Sequence, residues 1–137
     1  MDYAVAVDSK DDGYLHWTVL KLFDEDDWGH LLDVGLKVTA ERWAEWQSRR
    51  GDLIVVPELP NLSLFAHIDE GPISFRDLTS LRHECVTVLS RVTDAHVREL
   101  LEGVIMATTV AEESNGVVTI FPAVSGEKEG DHFCTPV

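Results

Sequence analysis

The stretch between residues 74 and 111 constrains the fold most, because it holds two helical patterns in tandem with almost no gap between them. The first pattern covers residues 74–92, where Ser74 followed by Asp77 is typical of a capped helix start. Its apolar residues recur at steps of three and four and are Leu78, Leu81, Cys85, Val88, Leu89 and Val92. Residues at this spacing line one face of a helix, which has to be buried against another element.

The second pattern begins at Thr93-Asp94, another cap signal, and ends at Asn115-Gly116. Its apolar side consists of Val97, Leu100, Leu101, Val104, Ile105, Thr108 and Ala111. Gly103 weakens the helix by about 1 kcal/mol relative to Ala, so we expect it to allow close packing against a neighbour. Two amphipathic helices need a sheet or each other to bury their apolar sides, and the rest of the chain offers strands.

Two apolar runs, at residues 3–7 and 14–23, flank a turn at residues 8–13 and predict a hairpin. Both faces of the second run are largely apolar, so we expect this strand to be central and covered on both sides for part of its length. An exposed acidic loop is predicted at residues 24–30. Further strands are predicted at residues 32–38, 53–56, 62–68 and 117–121, and a helix at residues 39–50.

The order of these elements predicts an α+β fold. We expect a mostly antiparallel sheet of five or six strands packed against about three helices, the last two in tandem. A chain of 137 residues suits one domain, which we assign to residues 1–124. Residues 125–137 are rich in Gly, Glu and Lys and predict a flexible C-terminal tail.

Net charge narrows the range of partners. The chain has 25 acidic residues against 11 Lys and Arg, a formal charge of −14, and residues 1–33 alone hold nine acids and two lysines. This excess argues against direct nucleic-acid binding, because phosphate contacts need basic groups. It favours a basic protein partner, whose approach the negative charge would accelerate. The alternative is that the acidity only maintains solubility.

The chain has no segment that predicts membrane insertion or export. No apolar run approaches the ~20 residues of a membrane-spanning helix, and the first residues lack the basic and apolar regions of a signal peptide. The two cysteines do not make a disulfide framework: Cys85 lies on the helical stripe as a small buried residue, and Cys134 lies in the predicted tail. We therefore expect a cytoplasmic protein.

Motifs for catalysis or cofactor binding are absent from the sequence. It has no nucleophile elbow, no phosphate loop and no dinucleotide fingerprint. Cys85, as a buried thiol, is not expected to be an activated nucleophile. We expect no cofactor and a binding protein rather than an enzyme, although an enzyme without a local signature stays an alternative.

Metal sites are not predicted either. The turn at residues 8–13 resembles part of a calcium loop, but Lys10 and Val19 stand where oxygen ligands are needed. His83 lacks the second His of a zinc-protease helix. His132 and Cys134 have the spacing of a soft-metal chelate, but two ligands do not make a closed site.

Acidic residues beside an aromatic one supply the candidate partner contacts. They are Asp11, Asp12, Asp24, Glu25, Asp26, Asp27 and Trp28. A Trp next to acids is typical of an interface anchor, but the same ring could instead fold back onto the core. With the size and charge of the chain, these residues favour a small acidic inhibitor or immunity-type protein that masks a basic partner such as a toxin nuclease.

Two other functions stay open on the sequence. The chain could be a small-molecule-binding domain or an enzyme with a pocket between sheet and helices, lined by Tyr14, His16, Trp17 and His67. It could also be a non-catalytic subunit of an assembly, with Trp43 and Trp46 on an exposed helix face.

Overall fold

The computed structural model describes residues 2–35, 59–123, 126 and 128–136. Within them, one antiparallel sheet has the strand order β3-β4-β1-β2-β5. Its strands are β1 Asp2–Asp11, β2 Tyr14–Asp24, β3 Ile73–Phe75, β4 Val117–Pro122 and β5 His132–Pro136. The α-helices of the same residues are α1 Glu25–His30, α2 Leu78–Leu89 and α3 Ala95–Glu113. The predicted α+β fold, with the last two helices adjacent, is confirmed.

The first hairpin has a tighter turn than the sequence predicts. β1 continues to Asp11, so only Asp12 and Gly13 connect it to β2, with φ of 50° and 80°. Positive φ at both central residues is what a two-residue turn needs to match the twist of its strands. β1 occupies the middle of the sheet and is buried from Tyr3 to Val7, whereas most of β2 is half-buried.

Capping carboxylates fix the starts of α2 and α3. The cap of α2 is Asp77, which accepts the Ser80 amide at 3.0 Å, so this helix begins later than predicted. Ser74 belongs instead to β3, and its hydroxyl lies 3.0 Å from that of Thr119 on β4. The predicted cap of α3 is confirmed, since Asp94 accepts the Val97 amide at 3.1 Å.

The buried side of α3 packs close to the sheet at Gly103. A Cβ atom at this glycine would lie 2.9 Å from the Phe23 ring and 3.1 Å from the Lys21 side chain. The predicted close approach is therefore confirmed, and the neighbour is β2. The apolar residues of α3 that are fully buried here are Val97, Leu100, Leu101, Val104, Ala107 and Ala111.

Residues Leu62–Glu70 form a 3₁₀-helix, so the strand predicted at residues 62–68 is wrong. Leu62, Phe65 and Ile68 are buried, and a spacing of three places them on one side of a helix with three residues per turn. The alternating pattern in the sequence is compatible with both structures.

A buried carboxylate on α2 stabilises the start of this 3₁₀-helix. Glu84 accepts the backbone N–H groups of Asn61 at 2.9 Å and Leu62 at 3.0 Å, and also the side-chain amide of Asn61. Burial raises the pKa of Glu84 above its ordinary value, while these hydrogen bonds act in the opposite direction. The helix start and α2 are therefore held together by one ionisable side chain.

The segment after α1 also differs from prediction. Leu31–Gly35 forms a π-helical turn, so the strand predicted at residues 32–38 is wrong for its first part. The remainder of that strand, the helix at 39–50 with Trp43 and Trp46, and the strand at 53–56 lie outside the described residues.

The last strand of the sheet comes from the segment predicted as a tail. β5 pairs with β2, and the preceding turn adds backbone hydrogen bonds from Val19 to Asp131 at 2.9 Å and from Gly130 to Val19 at 2.7 Å. All five residues of β5 are exposed, so the strand has no apolar alternation for the sequence to reveal.

Two helical glycines provide a matched test of the packing of α3. Gly29 of α1 has no atom within 4 Å of an added Cβ, so Gly29→Ala should raise the free energy of unfolding by up to about 1 kcal/mol. Gly103→Ala gives the same gain in helix propensity, but its methyl group clashes with the Phe23 ring. It should therefore lower the free energy of unfolding by about 1–3 kcal/mol. Urea unfolding measures both. If the two substitutions raised the free energy of unfolding equally, the close approach of α3 to β2 would be contradicted.

Replacement of Glu84 by Gln tests its role at the helix start. Gln keeps one acceptor oxygen but places an NH₂ group where the second carboxylate oxygen accepts a hydrogen bond, and it removes the negative charge. We therefore expect the free energy of unfolding to fall by about 1.5–3 kcal/mol. Glu113→Gln, at an exposed acid of α3, is the control and should have little effect. Similar effects of the two substitutions in urea unfolding would argue against the capping role.

Candidate functional site

The acidic run at residues 24–27 forms the start of α1, where the sequence predicts an exposed loop. Asp24 and Asp27 make a capping box: the Asp24 carboxylate accepts the Asp27 amide at 2.9 Å, and the Asp27 carboxylate accepts the Asp24 amide at 3.4 Å. Helix N-termini favour acidic side chains because their first N–H groups lack partners in the helix. Asp24, Glu25 and Asp26 are exposed, whereas Asp27 is half-buried.

Trp28 lies in the core, which is the second of the two positions that the sequence leaves open for it. Its side chain is 3% exposed, and its ring packs edge-on against Tyr3 at 5.0 Å and Phe65 at 4.9 Å. In this position Trp28 offers no ring surface to a partner and instead anchors α1 to the sheet.

Two histidine–aspartate pairs join α1 to α3. His96 donates from Nδ1 to Asp27 at 2.8 Å, and His30 donates from Nδ1 to Asp94 at 2.9 Å. The rings of the two histidines lie side by side, with centroids 4.8 Å apart. Because an ionised carboxylate can only accept, both Nδ1 atoms carry the proton.

In each pair, the pKa of one member, Asp94 or His96, is shifted in favour of its charged form. The hydrogen bond from His30, followed by that from the Val97 amide, lowers the pKa of Asp94 below its ordinary value. The hydrogen bond to Asp27 raises the pKa of His96, and the charges of Asp27, Asp94 and Asp24 act in the same direction.

The acidic surface continues from α1 onto α3. Glu99 is exposed one turn beyond His96, and residues three apart are neighbours on a helix surface. Beside α1, a shallow depression of about 280 Å³ is lined by Glu25, Asp26, His30, Asp33 and the exposed Val34. We call the surface formed by α1, the turn that follows it and the start of α3 the acidic end. Its acids are Asp24, Glu25, Asp26, Asp27, Asp33, Asp94 and Glu99.

The other two predicted partner contacts lie elsewhere. Asp11 and Asp12 are at the tip of the β1–β2 hairpin, at the end of β2 that is remote from α1. Eleven residues of strand separate the two places by roughly 30 Å. The predicted set of acids is therefore divided between the two ends of the hairpin.

Of the predicted pocket residues whose side chains the structure describes, His16 and Trp17 lie on opposite faces of β2 and do not line one pocket. Trp17 packs edge-on against Phe121 at 5.0 Å, in an apolar cluster with Ala4, Ala6 and Val19. Tyr14 is 46% exposed at the start of β2, and the side chain of His67 lies outside what the structure describes. Of the four residues, His16 lines a cleft.

This cleft, of about 450 Å³, lies between the hairpin, β5 and the C-terminal end of α3. His16 meets His132 of β5 there, with Nδ1 of His16 3.2 Å from Nε2 of His132. The other ring nitrogen of His132 lies 3.3 Å from the Thr18 hydroxyl. Lys10 and Asn115 also line the cleft.

Sequence reasoning missed the partners that these sites bring together. His30 and Asp94 are 64 residues apart, His96 and Asp27 69, and His16 and His132 116. No spacing rule links residues so distant, and the single available signal is the capping role of Asp94.

Metal binding and thiol chemistry are the remaining possibilities to consider among the described residues. No three His, Cys, Asp or Glu side chains of this part of the chain converge as metal ligands in the conformation described. Cys85 is buried, and burial strongly raises the pKa of its thiol, so it is protonated and inert. Cys134 is exposed on β5.

The His96–Asp27 pair makes stability depend on pH. Folding raises the pKa of His96 above its ordinary value of about 6.5. The contribution of the pair to the free energy of unfolding is therefore fully present below about pH 6.5, and it is lost as the pH rises through the raised pKa. We therefore expect the stability difference between the wild type and His96→Asn to shrink as pH rises from about 6 to 9.

Urea unfolding at each pH measures this difference. His83→Asn, at an exposed histidine of α2, is the control for replacement of a surface histidine, and its stability difference is measured over the same pH range. A constant difference for His96→Asn would contradict the ion pair.

Comparison with protein-family models, with curated proteins and with solved structures found no match for this chain. Among the described residues no helix is both long enough and apolar enough to cross a membrane.

Proposed function

We propose that this chain is a small acidic protein-binding domain that masks a basic partner through the acidic end. An inhibitor or immunity-type protein directed against a basic enzyme, such as a toxin nuclease, fits this description. One observation carries the proposal: the two histidine–aspartate pairs hold exposed carboxylates of α1 next to those of α3.

The charges of the acidic end suit recognition of Arg and Lys side chains. Asp24 and Asp27 shape the surface through the capping box and the His96 contact, and the exposed Asp26 and Glu99 face solvent, where a partner can reach them. Like charges brought together on a fixed surface raise the local negative potential, which steers a basic protein toward it.

An apolar contact is available within the same surface. Val34 is 36% exposed and lines the depression beside Glu25 and Asp26. An interface combines a small apolar centre with a polar rim. Val34 takes the place that the sequence suggested for Trp28.

The cleft at His16 favours the alternative of a small-molecule-binding domain. It lies between the sheet and α3, as that hypothesis requires, and has a volume in the range of ligand pockets. A ligand screen by thermal shift tests it.

The assembly-subunit alternative depends on Trp43 and Trp46. The cytoplasmic location is part of the same proposal, and both cysteines are free thiols.

Charge reversal at the acidic end tests the proposed function. We would capture binding proteins from native lysate with the wild type and with Asp26→Lys/Glu99→Lys, which spares the capping box and the histidine pairs. A basic protein held by the wild type should be lost by the variant. With that protein purified, the association rate should fall by about tenfold or more, and by less at high salt.

The control variant is Asp11→Lys/Glu113→Lys, which changes the net charge equally at exposed positions away from α1. It should retain the partner. Loss of the partner by both variants would indicate nonspecific charge attraction, and loss by the control alone would move the interface to the hairpin tip. Circular dichroism verifies that both variants fold.

A further inference from the structure

We propose that a cavity beside Asp8, on the face of the sheet opposite α3, binds a small zwitterion of the amino-acid class, with an ammonium group, a carboxylate and an apolar side chain. The cavity has a volume of about 350 Å³, at the lower end of the range of ligand pockets. Ser9, Lys10 and Asn115 form its boundary with the His16 cleft. The site is separate from the acidic end and does not depend on the proposed function.

Alternation along the strands places the charged side chains of this cavity on one face. Val7 belongs to the core that includes α3, whereas Ala6 belongs to the second apolar cluster, on the other face of the sheet. Asp8 and Lys10 follow Ala6 at steps of two, so their side chains are on that other face. Arg76 directly follows β3 and lines the same cavity.

A chain of hydrogen bonds sets the polarity of the cavity at Asp8. The Thr119 hydroxyl donates to Oδ2 of Asp8 at 2.9 Å, and the Ser74 hydroxyl lies 3.0 Å from that of Thr119. Because a hydroxyl group has one proton, Ser74 donates to Thr119 and keeps its own lone pairs available. Oδ1 of Asp8 is buried and has no hydrogen-bond partner among the residues that the structure describes. Asp8 and Ser74 therefore both present acceptors.

An ammonium group of a ligand satisfies this unpartnered carboxylate. Buried polar groups are almost always hydrogen-bonded, so a buried acceptor without a donor at a cavity marks a place where a ligand can supply one. Burial raises the pKa of Asp8, while the Thr119 hydrogen bond acts in the opposite direction. A cation beside the carboxylate stabilises its ionised form, and an ammonium group has N–H donors for both Asp8 and Ser74.

Lys10 and Arg76 supply positive charge for the carboxylate of the ligand. Both line the cavity, and neither belongs to an ion pair within the described part of the chain. Acids outnumber Lys and Arg by 25 to 11, so two basic side chains without carboxylate partners at one cavity stand out as available to an anionic group. The Arg76 guanidinium can hold a carboxylate through two parallel hydrogen bonds.

Leu15 and Val117 provide the apolar part of the cavity. Leu15 is the pairing partner of Lys10, and Val117 is the pairing partner of Asp8. An apolar side chain of the ligand therefore finds a contact surface next to both charged groups. The turn between α3 and β4 forms one wall, where Gly116 lies so close to β1 that an added Cβ atom would overlap the Asp8 carbonyl oxygen.

Isothermal titration calorimetry with L-leucine and two analogues, each without one charged group, tests the site. The analogues are 4-methylpentanoate, which lacks the ammonium group, and 3-methylbutylamine, which lacks the carboxylate. L-Leucine should bind at one molecule per chain. Each analogue should bind about tenfold more weakly or worse, because it leaves a charged group of the cavity unpaired.

Variants assign each charged group of the ligand to its partner in the cavity. Asp8→Asn keeps an acceptor for Thr119 and should weaken binding of L-leucine by about tenfold or more, without weakening that of 4-methylpentanoate. Arg76→Gln should weaken binding of L-leucine and of 4-methylpentanoate by similar factors, and leave that of 3-methylbutylamine unchanged. Arg91→Gln, which removes an exposed arginine between α2 and α3, is the matched control and should bind all three compounds as the wild type does.

Absence of saturable L-leucine binding by the wild type would overturn the proposal. So would analogues that bind as tightly as L-leucine, or a loss of affinity in Arg76→Gln that Arg91→Gln reproduces. Circular dichroism verifies folding of each variant. Arg76 is exposed, so Arg76→Gln carries the test by itself should Asp8→Asn fail to fold.

Discussion

Burial of the apolar side of α3 is the constraint on which the rest of this structure depends. The helix contacts α1, α2 and strands β1, β2 and β4, so it touches both of the other α-helices and three strands of the sheet among the described residues. Its approach to β2 is close because Gly103 has no side chain. Because α3 is packed so closely, its N-terminal end has a fixed position. Asp94 and His96 lie at that end and are therefore fixed as well.

The acidic end follows from that placement. α1 has six residues and could not hold a defined position alone, because short helices are marginal in water. Trp28 anchors it to the core from one side, and His30 and His96 hold it to α3 from the other. Carboxylates that would repel one another are thus kept together by two hydrogen-bonded histidines.

The parts of the fold that could be predicted from sequence are those whose pattern is local. α2, α3, β4 and the first hairpin have periodicity or turn residues that identify them. The 3₁₀-helix was missed because Leu62, Phe65 and Ile68 fit a helix of three residues per turn while their neighbours alternate as in a strand. β5 has no apolar pattern because it is exposed. Of the acids of the acidic end, the sequence named those at residues 24–27. Asp33, Asp94, Glu99 and the two histidines join them through tertiary contacts, which no local pattern reveals.

Because the two thiols are unequally buried, their rates of chemical modification report how often different parts of the protein open. Cys134 is exposed in the native state, whereas Cys85 lies on the buried side of α2. A thiol reagent should therefore modify the first at once and the second only when the core opens. Since local and global openings differ in free energy, the two modification rates measure fluctuations of different extent within one unmodified protein.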